Sequence, residues 1–308
     1  MSVHLRKSTF LWVACWQLLL VLATGDFPAR AMGLGFGGET SVPDLVLTQG
    51  PLSSPVRLDL RLDSGKELLV TDYDRRAIYQ VNVADLSAVK LVFALAGSPL
   101  AIGRIGSNIL VGNESSGAVE LYNRKGRLLR SYQAGMPMVP SDLAVDPTAE
   151  RVFVADSAGR NIKIFGFDGQ LQQVVDGFGE LINPMGVAVD PLAMRLAVSD
   201  FGDPNTGVKP SLQLFDYSGA RLLKITGAFS SPRGVAFAGQ YLLMVDTLLG
   251  QVLVFDSATG VAVGAVGSFG TSPGQLLLPL DVAWDSSSQT LYVTNNRLGR
   301  VTSLPGLP

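Results

Sequence analysis

The sequence is poor in the side chains that carry most enzyme chemistry. Its 308 residues include one cysteine, Cys15, and one histidine, His4, and only 16% of the residues are charged. Both residues lie in an N-terminal segment that we predict to be removed, which leaves a mature chain without thiol or imidazole. Disulfides, thiolate or imidazole zinc sites and histidine-activated serine nucleophiles are therefore excluded for that mature chain.

The sequence also has no apolar run long enough to span a bilayer. The longest N-terminal run, from Phe10 to Ala23, covers about 14 residues, where a spanning helix needs about 20. A short basic region precedes it, and Ala29-Arg30-Ala31 follows as a small-x-small cleavage site. We predict a signal peptide over residues 1–31, cleaved after Ala31, and a secreted or periplasmic protein. Retention of the segment as a membrane anchor is the alternative.

Basic runs are absent as well, and the formal net charge is −2. Nucleic acid is a poor partner for such a chain because phosphate binding needs clustered lysine and arginine. What the sequence does have is 47% hydrophobic residues, 34 glycines and 17 prolines. This composition indicates a large folded core with many turns.

An apolar segment that ends in Asp or Asn recurs six times along the chain. The steps between its last residues are 41 to 49 residues long. A second motif, a proline followed by an apolar strand, precedes each copy by about ten residues; Pro140–Asp146 and Pro184–Asp190 are examples, and Arg57 stands where the proline of repeat one is expected. The six terminal residues are Asp72, Asn113, Asp156, Asp200, Asp246 and Asn295.

Each repeat is predicted to form four strands. In the third repeat, alternating apolar and polar residues place them at 141–146, 151–155, 161–166 and 170–175. No segment after residue 31 has the periodicity of an amphipathic helix. A period of 40–50 residues with four strands is typical of propeller blades. We therefore predict an all-β, six-bladed β-propeller with four antiparallel strands per blade.

The two ends of the repeat region are predicted to meet in the last blade. The sixth repeat supplies three strands, at 280–285, 290–294 and 299–304, and a solitary strand lies at 44–49. Pairing of 44–49 as the outer strand of that blade would cover an open sheet edge. The predicted organisation is a signal peptide (1–31), a Gly-rich linker (32–43) and a propeller (44–308).

The repeat resembles the NHL family, in the form found in secreted bacterial-type proteins. The resemblance rests on Gly267–Pro279, followed by Asp281–Asp285 and Leu291–Asn295, and it extends over residues 44–308. It implies a six-bladed propeller. It does not imply one function, since such propellers include enzymes, RNA binders and protein scaffolds.

The repeated Asp and Asn residues are interpreted as structural. A short carboxylate or amide at the end of the second strand can accept backbone N–H bonds in the turn that follows. A catalytic site would mark one or two blades, whereas these residues mark all six.

Two classes of propeller enzyme can be tested by the ligand residues that each requires. An amidating lyase, which the resemblance would pair with histidine-bound zinc, is excluded by the missing imidazoles. A calcium-dependent lactonase related to gluconolactonase, which is the alternative function, needs oxygen ligands around the central tunnel. The residues expected there offer one cation, one hydroxyl and four apolar groups, hence no oxygen cage: Leu58, Leu100, Ser141, Met185, Arg233 and Leu280.

Chemistry by paired carboxylates stays open, because Asp142, Asp146, Asp190 and Asp281 could approach one another. No metal or other cofactor is expected. We predict a non-catalytic module that binds a protein or peptide of the cell envelope or extracellular space, with a scaffold role without a single partner as a further alternative. The long loops 201–210 and 267–278 extend the predicted docking surface, whose candidates are Ser141, Met185, Arg233, Leu280, Lys209 and Phe269.

Overall fold

The computed structural model describes residues 50–61 and 66–308, which form strands, turns and two short 3-10 turns. The predicted signal peptide (1–31), linker (32–43) and closing strand (44–49) lie outside the described residues. Within the described ranges, no helix is long and apolar enough to cross a membrane. The strands form six antiparallel sheets in which neighbours in the sequence are neighbours in space.

The first three blades each contain four strands. Blade 1 consists of β1 (Pro55–Arg61), β2 (Glu67–Asp72), β3 (Ala77–Asn82) and β4 (Asp85–Ala94). Blade 2 consists of β5 (Pro99–Ile105), β6 (Asn108–Asn113), β7 (Ala118–Tyr122) and β8 (Leu128–Tyr132). Blade 3 consists of β9 (Pro140–Asp146), β10 (Arg151–Asp156), β11 (Asn161–Gly166) and β12 (Leu171–Val175).

Blades 4 and 5 repeat this plan, and blade 6 has three described strands. Blade 4 consists of β13 (Pro184–Asp190), β14 (Arg195–Asp200), β15 (Ser211–Asp216) and β16 (Arg221–Ile225). Blade 5 consists of β17 (Pro232–Ala238), β18 (Tyr241–Asp246), β19 (Gln251–Asp256) and β20 (Ala262–Val266). Blade 6 consists of β21 (Pro279–Asp285), β22 (Thr290–Asn295) and β23 (Arg300–Pro305).

In five of the six blades the turns between second and third strands share one backbone feature. The fourth residue after the terminal Asp or Asn has a positive φ there, as at Gly117 (64°) and Gly250 (61°), whereas in blade 4 that position is Pro204 in the long loop. Glycine takes this conformation without a steric penalty, whereas Arg76 (50°) and Arg160 (56°) take it with a side chain. The spacing from the terminal Asp or Asn to the left-handed residue is therefore the same in blades 1, 2, 3, 5 and 6.

The hydrophobic core lies between the blades. Six clusters of buried side chains are present, and each combines residues of two adjacent blades. Between blades 2 and 3, for example, Tyr132 packs edge-on against Phe165 with ring centroids 5.9 Å apart. Because the cluster between blades 6 and 1 joins Tyr292 and Val301 to Leu58 and Val70, the blades close into a ring.

Hydrogen bonds reinforce the junction between the last and first blades. The N–H groups of Gly50 and Leu52 each donate at 2.9 Å to the carbonyls of Leu298 and Gly299. The Thr294 hydroxyl donates to the Val56 carbonyl at 3.2 Å. The segment that leads into blade 1 therefore runs beside the start of β23.

The predicted architecture is confirmed: the protein is an all-β, six-bladed propeller, with four antiparallel strands in blades 1–5 and three described strands in blade 6. The strands predicted for the third repeat coincide with β9 to β12 within one residue. The prediction that Arg57 replaces the proline of repeat one is wrong. Pro55 pairs with Asp72 there, as Pro140 pairs with Asp156, so each of the six blades begins at a proline.

Candidate functional site

The strand register divides the propeller into two faces. In blade 3, Pro140 lies opposite Asp156, which in turn lies opposite Asn161, and Ile162 lies opposite Val175. The loops between blades and the turns between second and third strands therefore emerge at one end, termed the top face. The turns between first and second strands emerge at the other end, termed the bottom face.

The corrected register changes the residues that surround the tunnel near the top. Counting from Pro55, Val56 and not Leu58 is the counterpart of Ser141 and Met185. The second position after the proline then contains Arg57 in blade 1, Asp142 in blade 3 and Asp281 in blade 6. The sequence alignment missed this row because Pro55 lies 17 residues before Asp72, whereas the proline and the terminal residue are 14 or 16 residues apart in the other blades.

Arg57 crosses the axis of the ring and binds three other blades. Its Nε and Nη2 donate to the Ser141 carbonyl at 3.1 and 2.9 Å, and its Nη1 donates to the Leu280 carbonyl at 3.0 Å. Its Nη2 also donates to the Met185 carbonyl. Ser141, Met185 and Leu280 were predicted to bind a partner. Their backbone carbonyls instead accept hydrogen bonds from the buried Arg57.

Two carboxylates complete the shell around this guanidinium. Oδ1 of Asp142 lies 3.3 Å from Arg57 Nε, and Oδ1 of Asp281 lies 3.6 Å from Arg57 Nη1, and these side chains are at most 8% exposed. The expectation that the tunnel has no oxygen cage is therefore wrong. A cage of two carboxylates and three carbonyls exists, and the arginine of blade 1 occupies it.

The buried cluster has more carboxylates than cations. Burial raises the pKa of Asp142 and raises that of Asp281 to about 7, although the Arg57 charge lowers both and the neighbouring carboxylate raises that of Asp281 further. The carboxylates also join blades: Asp142 accepts from the Val187 N–H at 3.0 Å and Asp281 from the Leu58 N–H at 2.9 Å. Arg57 supplies one cation for these two carboxylates, and the raised pKa of Asp281 favours its protonated form below about pH 7.

The other two carboxylates considered for paired chemistry lie elsewhere. Asp146 accepts from the N–H groups of its own turn and from the Tyr217 hydroxyl at 2.8 Å. Asp190 pairs with Arg195 at 2.8 Å. Both stand at the bottom ends of first strands, away from Asp142 and Asp281. Among the described residues, no three His, Cys, Asp or Glu side chains could together hold a metal ion.

The repeated Asp and Asn side chains bind the backbone beside their blades. Asp246 accepts from Ser230 and Ser231 in the segment before β17 and from Leu248 and Leu249 in the following turn. Asp72, Asn113 and Asp200 also accept turn bonds. The Asp156 and Asn295 oxygens accept from Val139 and Leu277, which precede the first strand of the same blade.

The two long loops lie on the top face. Lys209 is exposed in the loop after β14, where Asp203 and Val208 form an isolated β-bridge. Phe269 is 47% exposed and bridges Leu276 in the loop before β21. Arg233 stacks over the Phe201 ring at 5.5 Å.

Two exposed apolar residues on this face were missed by sequence reasoning. Met136 is 79% exposed between blades 2 and 3, and Phe178 is 77% exposed between blades 3 and 4. The sequence held a signal for the second of these, because Phe178 is followed by Gly179 as Phe269 is followed by Gly270. Sequence periodicity alone could not distinguish these exposed side chains from that of Phe229. The Phe229 ring packs edge-on against Phe255, with ring centroids 5.8 Å apart.

No protein-family profile and no curated protein matches this chain. Solved structures do resemble it. A chain from the crystal structure of a nidogen/laminin complex superposes with a TM-score of 0.61 at 15% identity, over 78% of this chain and 93% of the other. A catalytically inactive virginiamycin B lyase from Staphylococcus aureus with quinupristin superposes with a TM-score of 0.59 at 13% identity, over 80% of each chain. These similarities establish the β-propeller fold.

Proposed function

We propose that this chain is an exported NHL-type propeller that binds a protein or peptide of the cell envelope through its top face. Export is supported by the basic, apolar and small-residue order of segment 1–31. The NHL assignment is supported by the repeat motifs and by the six-bladed fold. The binding role is supported by the exposed apolar side chains on the top-face loops.

Phe178 carries the argument for binding. Its φ of 60° places a bulky aromatic residue in the left-handed region, where such residues are rare. The turn is secured because the Phe178 N–H donates to Asp176 at 2.9 Å and Glu180 pairs with Arg221 and Lys224 at 2.6 and 2.5 Å. A strained, exposed aromatic on a fixed turn is typical of a recognition site.

Met136 extends this surface to the junction of blades 2 and 3, and Phe269 adds an exposed aromatic at the junction of blades 5 and 6. Both are exposed, and both lie in loops that leave the outer strand of one blade for the inner strand of the next. Apolar side chains on several loops of one face favour a partner of protein or peptide size. Lys209 and Arg233 supply cationic groups on the same face.

The alternative, a calcium-dependent lactonase-like hydrolase, has one observation in its favour: an oxygen cage exists at the axis. Arg57 fills that cage, and a divalent cation there would meet a fixed positive charge. The two structural neighbours, one from a protein complex and one a lyase, leave both uses of the fold open. We expect no rise in melting temperature on adding calcium to the full protein, and a rise would favour the hydrolase.

The binding proposal is tested by capture from an envelope extract followed by binary binding to the purified partner. Phe178→Ser combined with Phe269→Ser should weaken that binding by at least about tenfold, because central aromatic anchors dominate interface energies. Lys209→Glu combined with Arg233→Glu tests the cationic groups in the same assay.

A matched control comes from the bottom face. Leu192 and Met194 are 98% and 62% exposed in the turn after β13, so Leu192→Ser combined with Met194→Ser removes similar exposed apolar surface. This variant should bind as the wild type does. Equal loss in both double variants, or none in the top-face variant, would contradict docking on the top face.

A further inference from the structure

Blade 2 has a group of basic side chains at its bottom rim. The turn between β7 and β8 emerges there, because Tyr122 at the end of β7 lies opposite Ile109 at the bottom end of β6. The net charge of −2 conceals these cations, which sequence reasoning missed. Four of seven consecutive residues form what we term the basic cluster: Arg124, Lys125, Arg127 and Arg130.

The basic cluster marks one blade only. The corresponding turns of blades 1, 3, 4 and 5 contain no lysine or arginine: residues 83–84, 167–170, 217–220 and 257–261. A device that every blade needs would recur in each of them, as the terminal Asp and Asn residues do. Charge that only prevents pairing of an edge strand would lie on β8 itself, whereas three of the four cations lie in the turn before it.

The turn that carries the cluster is held by its own hydrogen bonds. The Asn123 side chain accepts from the N–H groups of Lys125 and Arg127 at 2.9 and 3.0 Å. The Gly126 N–H donates to the Asn123 carbonyl at 2.9 Å, and the φ of Gly126 is 76°. A side chain at Gly126 would meet Phe93 of β4, so the turn also packs closely against blade 1. The basic side chains are therefore presented by a fixed backbone.

Two of the four cations are not neutralised by the protein. Arg124 pairs with Glu67, and Arg130 donates to the Phe167 carbonyl at 2.8 Å. Lys125 and Arg127 are exposed, and neither side chain forms an ion pair or a hydrogen bond with any residue that the structure describes. The rim of blade 2 is therefore locally positive on a chain whose net charge is negative.

Two exposed leucines adjoin the cluster. Leu128 and Leu129 are 50% and 41% exposed at the start of β8, the outer strand of blade 2. Other outer strands also expose apolar side chains, but only this one combines them with a cluster of four cations. Soluble polyanions are bound by charge alone, whereas a bilayer surface offers anionic head groups above an apolar layer. The leucines therefore favour a bilayer over a soluble polyanion.

We propose that the basic cluster and its two leucines bind the surface of a bilayer that contains anionic phospholipid. The cations lie at the phosphate groups, and the leucines enter the boundary between head groups and acyl chains. This contact is on the bottom face, so the top-face loops stay accessible while the protein is on the membrane. The inference does not depend on the proposed binding of a protein partner.

Cosedimentation of the full protein with two kinds of vesicle tests the proposal. One kind contains phosphatidylcholine alone, and the other contains phosphatidylcholine mixed with phosphatidylglycerol. We expect about 25-fold tighter binding to the anionic vesicles at low salt, since each of the two unneutralised cations contributes about fivefold near such a surface. The preference should fall as the ionic strength rises. Equal binding to the two kinds of vesicle would overturn the proposal.

Two pairs of substitutions locate the contact. Lys125→Gln combined with Arg127→Gln should lower the affinity for anionic vesicles by about 25-fold. Lys209→Gln combined with Arg297→Gln makes the same change in net charge at exposed positions of the top face and should leave binding unchanged. Every variant keeps residues 1–31, so differences between them report the substituted positions. Equal losses in the two double variants, or no loss in the first, would contradict the placement.

The leucines distinguish a bilayer from a soluble polyanion. Leu128→Ser combined with Leu129→Ser keeps all four cations and should weaken vesicle binding by about tenfold, because apolar surface then stays in water. Leu171→Ser combined with Val174→Ser, at positions of β12 that are 39% and 48% exposed, is the control and should bind normally.

Dextran sulfate serves as the soluble polyanion in the same comparison. It should bind the wild type and the Leu128→Ser, Leu129→Ser variant equally, and more weakly than anionic vesicles bind the wild type. Full vesicle binding by the serine variant, together with dextran sulfate binding as tight as vesicle binding, would make the ligand a soluble polyanion and overturn the bilayer assignment.

Discussion

Arg57 alone determines the pattern of buried contacts at the centre of the propeller. Five blades place Ala, Asp or Gly at the second position after the proline, and only blade 1 places a cation there. Its guanidinium satisfies carbonyls of blades 3, 4 and 6 and neutralises one of two buried carboxylates. A buried charge network of this kind is destabilising when one partner is removed, because the remaining charges lose their solvation and their pairing.

Replacing Arg57 with alanine should therefore destabilise the propeller strongly. We expect a loss of about 3–5 kcal/mol in the free energy of unfolding, measured by urea denaturation at pH 7. The exposed Arg127→Ala should lie within about 0.5 kcal/mol of the wild type. A loss below about 1 kcal/mol for Arg57→Ala would show that the central cluster contributes little to stability.

The raised pKa of Asp281, about 7, predicts a specific pH dependence. Between its ordinary pKa of about 3.8 and 7, the folded state holds a proton that the unfolded state has lost, so this group's contribution to stability falls as the pH rises through that window. Asp281→Asn should remove this slope.

The difference in unfolding free energy between wild type and Asp281→Asn, measured from pH 4 to pH 8, isolates the effect from carboxylates outside the Arg57 cluster. Asp285 and Glu67 have lowered pKa values from their hydrogen bonds and ion pairs, and their contributions are lost at lower pH in both proteins. A difference that does not vary with pH would contradict the assigned protonation.

At the scale of single elements, the strand ends are the most regular feature. In five blades the side chain that ends the second strand binds the segment that leads into the first strand, and in four blades it binds the following turn; Asn113 of blade 2 binds only the turn and Glu120. This explains why a short acceptor recurs opposite the proline that begins each blade. The contact requires an oxygen within reach of several backbone N–H groups, and Asp and Asn provide one.

Asp246→Ala should be costly because Asp246 is fully buried and accepts four backbone N–H bonds. We expect the free energy of unfolding to fall by about 3 kcal/mol or more, since buried donors would lose their acceptor. Asp256→Ala removes a carboxylate that accepts turn bonds at the surface and serves as the control. Similar losses in the two variants would contradict the structural role of the buried residue.

The closing strand predicted at 44–49 can be tested at the same scale. Gly50 and Leu52 are hydrogen-bonded beside the start of β23, the outermost described strand of blade 6. Deletion of 44–49 should lower the melting temperature by more than about 5 °C, because it would leave the edge of β23 uncovered. Deletion of 32–37 in the predicted linker is the control, and an unchanged melting temperature after deleting 44–49 would contradict closure by that strand.

Much of the element pattern could be predicted because strand alternation and turn residues are local signals. The strands of blade 3 were placed within one residue for this reason. The start of β1 was missed because blade 1 is longer between its proline and its terminal Asp, 17 residues against 14 or 16 in the other blades, so that counting back from Asp72 stops short of Pro55. The Arg57 cluster depended on that start and therefore escaped the sequence alignment.

For the whole molecule, closure of six blades turns local repeats into two unlike faces. The top side of the axis is filled by Arg57, while a cavity opens on the bottom side. Sequence repeats could assign loops to faces, but side-chain exposure depends on packing between blades. Phe178 and Phe229 illustrate this, because both follow an outer strand and only Phe178 projects into solvent.

The proposed docking on the top face is tested most directly by hydrogen–deuterium exchange of the full protein with and without its purified partner. Binding should slow amide exchange in the top-face loops 133–139, 176–183, 201–210 and 267–278 and leave the bottom-face turns, including 191–194, unchanged. Protection confined to the bottom-face turns or to the outer strands would contradict the account.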